Sequence, residues 1–487
     1  MLVWAHLAAA QTDRTERHLS VEAIVALTDT SRVLADIRAL SHFGRGATAI
    51  SRPALSPADL EARRYVASRM EAAGLHGVQL DGMGTVYGSA GVENAPALLM
   101  GSHTDTAAAD PLDGALGVAY ALEAARVLRE GGAADLTAWS VVSWQDRAGR
   151  FGALGASSAF VSPVFTPTKE LWRARGEAGL AGVPVMHASG RHGGWAGFLE
   201  AHVERGSRLA PANATLGVVG AVPGQQEIRV VCASGARQAD VTPMAERRDA
   251  MLEAMRVASA VDDGLRALCV AWEEGVLSRG STCSHIRGCA ATWSVGDFSV
   301  GASLAMIPHE ANLTVQLRSP QQGLLERMAR YVTRTVGSLA ARADGRSAPK
   351  CTSHEAMAIT AECLHRSAVH TVGEERVIRL DASELHDAAP LSKHMAAGML
   401  LVPCTTDSLL SEKNAADVAA GAEAYVRAAV YLALGECDTS MGPTCIVGDA
   451  RRNVRLSDPS WIDALSLDAE NVASVVQSDD PDDYPDL

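Results

Sequence analysis

The sequence predicts a three-layer α/β protein built on a mostly parallel sheet, with a small α+β domain inserted into it. Three observations carry that expectation. Short apolar runs bounded by turn residues alternate with amphipathic stretches at helical spacing, the pattern of a parallel sheet covered on both faces. At about residue 228 the pattern changes to a compact set of strands and two helices. From Val377 the first pattern returns. The expected division is a main domain over 20–227 and 344–435, an inserted domain over 228–343 and an extension over 436–487.

Leu34 to Leu40 reads as part of a first helix, and Ser56-Pro-Ala-Asp-Leu-Glu opens a second with a capping serine, a first-turn proline and early acids. Apolar positions from Leu60 through Met70 continue it at helical spacing. Val78-Gln-Leu-Asp and Gly84-Thr-Val-Tyr-Gly are short strands. Ala97-Leu-Leu-Met100 is the central strand, and a helical pattern runs from Gly114 to Arg129. Ala138-Trp-Ser-Val-Val-Ser is the next strand, followed by an extended segment from Gly197 to Gly206. In the insert, 226–231, 289–298 and 312–318 read as strands, and 249–260 and 322–340 as helices. Val377-Ile-Arg-Leu, Met399-Leu-Leu-Val-Pro and a helix from Asp417 to Leu434 complete the main domain. Nothing from Glu436 onward reads as a core element, and there are no internal repeats.

The chemistry concentrates between Ala95 and Val118, where the central strand ends in a glycine and then presents His103, Asp105 and Asp113 within eleven residues. Side chains alternate along a strand, so His103 and Asp105 share a face; the carboxylate can accept a hydrogen bond from one imidazole nitrogen while the other binds a cation. Asp146 and Arg147 lie at a second strand-to-loop junction, and His202 and Glu204 share a face of the extended segment. In parallel sheets ligands bind beyond the carboxyl ends of the strands, where His103 sits.

The net charge of −14 over 487 residues argues against nucleic acid or an anionic membrane as partner. Much of the acid lies in SDDPDDYPDL at Ser478 to Leu487, which reads as a solvated tail. No run approaches the ~20 apolar residues of a membrane span, and MLVWAHLAAAQ at the start lacks the basic opening of a signal peptide. Nine cysteines, an odd number with no C-x-x-C pair, predict reduced thiols and a cytoplasmic location.

With these residues laid out, the chain resembles the two-domain, co-catalytic zinc amidohydrolases and peptidases, in the branch of N-carbamoyl-amino-acid hydrolases, allantoate amidohydrolases and beta-ureidopropionases. The resemblance runs from about Ser51 to Leu434. It rests on Ser56-Pro-x-Asp-Leu-x-Ala-Arg-Arg64, Gly101-Ser-His-x-Asp-Thr106, Asp113-Gly-Ala-Leu-Gly-Val118, Arg150-Phe-Gly152, His202-Val-Glu-x-Gly206, Thr242-Pro-Met-x-x-Arg-Arg-Asp-Ala250 and His386-Asp-Ala388. It implies a metallopeptidase-like catalytic domain and a ferredoxin-like lid and dimerisation domain, hence a homodimer. It also implies metal ligands at His103, Asp113 and His202, with Asp105 orienting an imidazole and a substrate carboxylate gripped by Arg318. His386 matches a pocket histidine.

The departures are equally specific. The family's paired glutamates align with Asp146 and Arg147, so the general base keeps a carboxylate one methylene shorter while a ligand of the second metal becomes arginine. The second metal's C-terminal histidine aligns with Leu410. The lid's oxyanion-stabilising histidine appears as Gln238, and an expected asparagine as Ala305. Loss of one metal with retention of the other explains the pattern, since three N/O ligands and an open position suffice for a catalytic zinc. The expectation is one divalent cation, zinc or manganese, with the Arg147 guanidinium near the vacated position and balancing Asp113. Three readings follow: a hydrolase of amide, ureido or carbamoyl C–N bonds in a small carboxylate-bearing substrate, with altered chemistry; a lapsed member kept for binding or as a subunit; and an aminopeptidase-like hydrolase.

Overall fold

The computed structural model describes residues 20–46, 49–106, 112–147, 149–152, 154–162, 167–205, 208–273, 289, 291–301, 305–338, 342–344, 358–404 and 409–437. They form two compact units: one runs to Gly224 and resumes in the 358–437 segment, the other starts at Gln225 and includes the described residues up to 344.

The first unit opens with α1 (Val21–Val25), α2 (Thr30–Leu40) and α3 (Pro57–Ala72). Each longer helix starts where its cap does: Asp29 accepts the Ser31 N–H at 2.8 Å, and Ser56 accepts that of Asp59 at 3.3 Å with proline in the first turn. Strands β1 (His76–Leu80), β2 (Val86–Gly91) and β3 (Ala97–His103) follow, then α4 (Asp113–Glu130) and β4 (Ala138–Trp144). Next come α5 (Gly155–Val161), α6 (Lys169–Glu177), β5 (Trp195–Glu204) and β6 (Leu216–Val219).

The second unit contributes β7 (Gly224–Ala233), β8 (Arg237–Gln238), α7 (Ala250–Glu273), β9 (Thr292–Gly301), β10 (Met306–Ile307), β11 (Glu310–Ser319), α8 (Gln322–Ser338) and β12 (Arg342–Asp344). The first unit then closes with α9 (Ala358–Val372), β13 (Val377–Leu380), α10 (Ala388–Leu391), β14 (Ala397–Pro403) and α11 (Glu412–Leu434).

The large sheet has the order β1-β2-β4-β3-β5-β14-β6-β13. Its centre is parallel: β4, β3, β5 and β14 all run the same way, so their carboxyl ends share one edge. The alternation within these strands builds two cores. Leu98, Met100, Trp139, Val141, Leu199, Ala201, Leu400 and Val402 pack with α1–α4, α9 and α11 on one face. Leu99, Val142, Trp144, Phe198, Met399 and Leu401 pack with α5, α6 and α10 on the other. This is the mostly parallel α/β architecture the sequence predicts, with both faces covered. Helix α4 is buried along nearly its whole length. Gly117 lets it lie close on β5, since a Cβ there would come 2.2 Å from the Ala201 carbonyl oxygen.

In the second unit the order is β12-β7-β11-β9. Ala311, Leu313, Val315 and Leu317 alternate inward from β11 toward α7 and α8. Strand β9 lies at the sheet edge and pairs antiparallel with β11. Helix α7 runs thirteen residues beyond the expected end at 260, because apolar positions Val257, Val261 and Leu265 keep its buried face continuous.

Two cysteine pairs correct the expectation of reduced thiols. Cys269 is joined to Cys289, and Cys363 on α9 to Cys437 beyond α11. Their partners are 20 and 74 residues apart in sequence, a pairing made by the fold and not by any local spacing. Of the described helices, none is long and apolar enough to cross a membrane. The predicted acidic tail lies outside the described residues.

Candidate metal centre

The carboxyl edge of the parallel strands gathers the site. His103 is the last residue of β3, Asp113 the first of α4, and His202 lies near the end of β5. One ligand atom from each lies within 4.8 Å of the others, and all three side chains are buried. The two Nε2 atoms are 3.3 Å apart; Asp113 Oδ2 is 3.5 Å from His202 Nε2, and Oδ1 is 4.0 Å from His103 Nε2. Gly114 makes room for this: a Cβ there would lie 2.3 Å from His103 Nε2.

The donors fit a divalent cation on physical grounds. His103 Nδ1 lies 2.9 Å from the Asp105 carbonyl oxygen, and His202 Nδ1 lies 3.3 Å from that of Val203. Each Nδ1 therefore carries the proton, and both Nε2 lone pairs face the same small space. Burial pushes both imidazoles down to about 4, so they are neutral at pH 7 and cannot share a proton there. Two buried lone pairs opposed across 3.3 Å beside a carboxylate repel one another unless a cation lies between them. Against the pull of burial, His202, His103 and Arg147 hold Asp113 below its ordinary value.

One detail differs from the sequence reading. The acceptor that fixes His103 is the Asp105 main-chain carbonyl; its carboxylate is 3.8 Å from Nδ1 and 3.6 Å from Arg63. The chain turns directly after His103, so the strand alternation that would aim Asp105 along the same face has ended. Arg52 holds that turn by bonding the Thr104 carbonyl, and its N–H bonds Thr106 Oγ1, both at 2.8 Å.

Asp146 follows β4 in a left-handed conformation, φ 59°, and is buried. Its Oδ2 accepts the Phe151 N–H at 2.9 Å; Oδ1 is buried and meets no donor among the described residues. Burial, reinforced by the negative charge of Asp105, pushes its carboxyl up to about 7. A buried network sits beneath it. Arg63 bonds Asp59 and the carbonyls of Ser143 and Trp144, each at 3.0 Å, and also Gln145 Oε1. Gln145 in turn donates to Asp59 at 2.8 Å and accepts the Asp146 N–H at 3.2 Å. The motif from Ser56 to Arg64 thus supports the chain end that carries Asp146.

Arg147 turns inward, with its side chain 14% exposed, and donates from Nη2 to Glu384 Oε2 at 2.6 Å. Burial works against its charge, but Asp113 and then Glu384 hold its pKa above the ordinary value. Its field also reaches His103, His202, Glu200 and Asp387. His386 is buried and packs edge-on against His202, ring centres 4.5 Å apart. Leu410, which the resemblance aligns with a second-metal histidine, packs against the main hydrophobic core.

Sequence reasoning missed Glu384, Glu200 and Asp387. Glu200 lies two residues before His202 on the same strand, so period two could have found it. It accepts from Ser102 Oγ at 3.0 Å and from the Ala388 N–H at 2.9 Å, and burial pushes it up to about 7. Burial and the nearby Glu200 raise Asp387 well above the usual carboxylate range. Glu384 lies two residues before His386, and Asp387 lies within the His386-Asp-Ala388 motif.

Arg318, Gln238 and Ala305 belong to the second unit. Arg318 Nε donates to Gln225 at 3.0 Å. Gln238 pairs with Met306 across the two-stranded β8–β10 sheet, and the Ala305 carbonyl accepts the Ala239 N–H at 2.9 Å, so Gln238 and Ala305 are neighbours.

No family model matches the chain. It is 28% identical over 326 residues to an N-carbamoyl-L-amino-acid amidohydrolase of Paenarthrobacter aurescens, an alignment covering 64% of this chain and 74% of that protein. Allantoate deiminase 1 of Glycine max is 29% identical over 297 residues, covering 55% of this chain and 59% of the relative. Among solved structures, a hydantoinase/carbamoylase family amidase from Burkholderia phymatum superposes with a TM-score of 0.63 at 29% identity, over 83% of this chain and 98% of its own.

Proposed function

As a relative of the N-carbamoyl-amino-acid amidohydrolase and allantoate deiminase branch, the chain is, we propose, a metal-dependent hydrolase of amide, ureido or carbamoyl C–N bonds in small carboxylate-bearing substrates, working with one divalent cation. The observation that carries this reading is the buried His103, Asp113 and His202 cluster, with opposed lone pairs and no proton to share. A zinc or manganese ion held there would supply Lewis acidity and lower the pKa of water.

The chain's own residues would do the rest. Asp105, through its carbonyl, and Val203 keep both Nε2 atoms facing inward. Asp146 is the general base. With its carboxyl at about 7 it is partly ionised at neutral pH, and Oδ1 is the oxygen left for the reacting proton. Water adds to the carbonyl carbon as the C–N bond breaks, and the proton it loses passes through Asp146 to the departing nitrogen. Arg147 takes, in this reading, the role a second cation's charge would have, its positive charge offsetting Asp113.

The test is hydrolysis of N-carbamoyl amino acids by zinc- or manganese-loaded protein, with and without chelator. Turnover abolished by chelator and restored by metal is the expected result; full metal loading with no turnover on any amide, ureido or carbamoyl substrate favours the lapsed, binding-only reading. We also propose a homodimer through the inserted domain. The outer edge of β9 and the exposed apolar residues Leu252, Met255 and Phe298 support it. Sedimentation should give twice the chain mass, reduced by Phe298→Lys, and a monomer of the native chain at micromolar concentration contradicts it.

A further inference from the structure

The Arg147 side chain is mostly buried and its charge acts on His103, Asp113 and His202, yet among the described residues its one hydrogen bond is to Glu384, and its Nε is buried with no partner. A guanidinium carries five donors in a planar fork, so among the described residues most of this one is uncommitted. Its occupant is of the opposite kind. The Glu384 side chain is 54% exposed, with its carboxylate reaching inward to Nη2 at 2.6 Å. A carboxylate so placed can swing into water without being stranded, whereas the arginine, with its side chain 14% exposed and its Nε buried, is the more confined partner.

We propose that Arg147 is an anion-receiving residue of this site and that Glu384 is its resident occupant, an internal carboxylate that a small carboxylate ligand displaces. The geometry supports displacement over permanent pairing. Glu384 satisfies one Nη2 only, whereas a free carboxylate can engage the fork through two parallel N–H···O bonds and reach the unpartnered Nε. Asp113 attracts Arg147 through its charge but makes no hydrogen bond to it among the described residues, its oxygens lying 3.5 and 4.0 Å from the imidazole Nε2 atoms. The loop between β13 and α10 that carries Glu384 also carries His386 against His202, so expelling Glu384 would be felt directly at the cation cluster. This inference takes from the hydrolase reading only its location; it needs no turnover.

The experiment measures dissociation constants of ¹³C-labelled acetate and of N-carbamoylglycine by NMR titration of the full chain, metal-free and zinc-loaded. Glu384→Gln should tighten both ligands roughly three- to tenfold by removing the resident ion pair. Arg147→Gln should weaken both, and in that background Glu384→Gln should change nothing, because the coupling between the two residues is the effect being read. Arg147→Lys, which keeps the charge but not the fork, should retain part of the affinity and guards against a folding failure of the glutamine variant. Unchanged constants in Glu384→Gln overturn the proposal. So does tightening of the same size without Arg147, which would mean a general charge effect. Tightening with no hydrolysis by any metal-loaded form keeps the anion site and removes the hydrolase reading; hydrolysis with no effect of Glu384→Gln does the reverse.

Discussion

Replacing Arg63 with methionine removes a fully buried guanidinium and leaves an apolar chain of similar length. Asp59, itself fully buried, would keep, among the described residues, the Leu55 N–H at 2.9 Å and Gln145 Nε2 at 2.8 Å. Stranding one partner of a buried ion pair costs about 3–5 kcal/mol. The Ser143 and Trp144 carbonyls each lose a 3.0 Å donor, adding about 1–3 kcal/mol apiece. Protonation of Asp59 recovers part of the charge term, since burial already raises its pKa and Arg63 is what holds it down. The net expectation is about 5 kcal/mol, a large share of the 5–15 kcal/mol typical of folded proteins. With a slope near 2.5 kcal/mol per molar urea, the unfolding midpoint should drop by about 2 M. The assay is urea unfolding of the metal-free chain followed by the fluorescence of buried Trp139 and Trp144. Asp59→Asn added to Arg63→Met should recover about half the loss by removing the uncompensated charge. A midpoint within about 0.4 M of the native chain, or no recovery in the double variant, would refute the assigned network.

Asp146→Asn should lower turnover at least about a hundredfold while leaving cation content unchanged. Turnover of the native chain should fall as pH drops through a limb at or below 7, as Asp146 takes up its proton; a pH-independent rate between 5 and 8 contradicts the base assignment. Cation affinity should be nearly flat from pH 8 to about 5. The imidazoles, lowered from 6.5 to about 4, stay neutral throughout that range and protons compete only below it. For the same reason their neutral form stabilises the fold fully above 6.5, and that contribution is lost as pH falls toward 4. A tenfold fall in affinity between pH 7.5 and 6 would show ordinary histidines. Gly114→Ala should weaken cation binding at least about tenfold with the fold retained, because the new Cβ would lie 2.3 Å from His103 Nε2. Unaltered affinity would mean that the ring has room to shift.

Much of the scaffold was legible because strand and helix periods differ and the cores require them: Val377–Leu380 and the α4 pattern sit where the residues say. The ends were less legible. Helix α7 extends through a face whose burial depends on tertiary packing, and α5, α6, α9 and β6 are too short or too evenly apolar to declare a period. At the site, His103, Asp113 and His202 were visible from spacing and resemblance. Glu384 was not, because its importance comes from a loop meeting Arg147 across 237 residues of sequence. The Asp105 carbonyl was hidden for a different reason, since side-chain alternation says nothing about a main-chain oxygen after the strand has turned.

The most direct measurement is the number of zinc ions held per chain, by equilibrium dialysis and elemental analysis of the native protein, Asp113→Asn and His202→Ala. One ion per native chain and far less than one in each variant is the expected result. Two ions per native chain, or equal content in all three proteins, would contradict a single cation clasped by His103, Asp113 and His202.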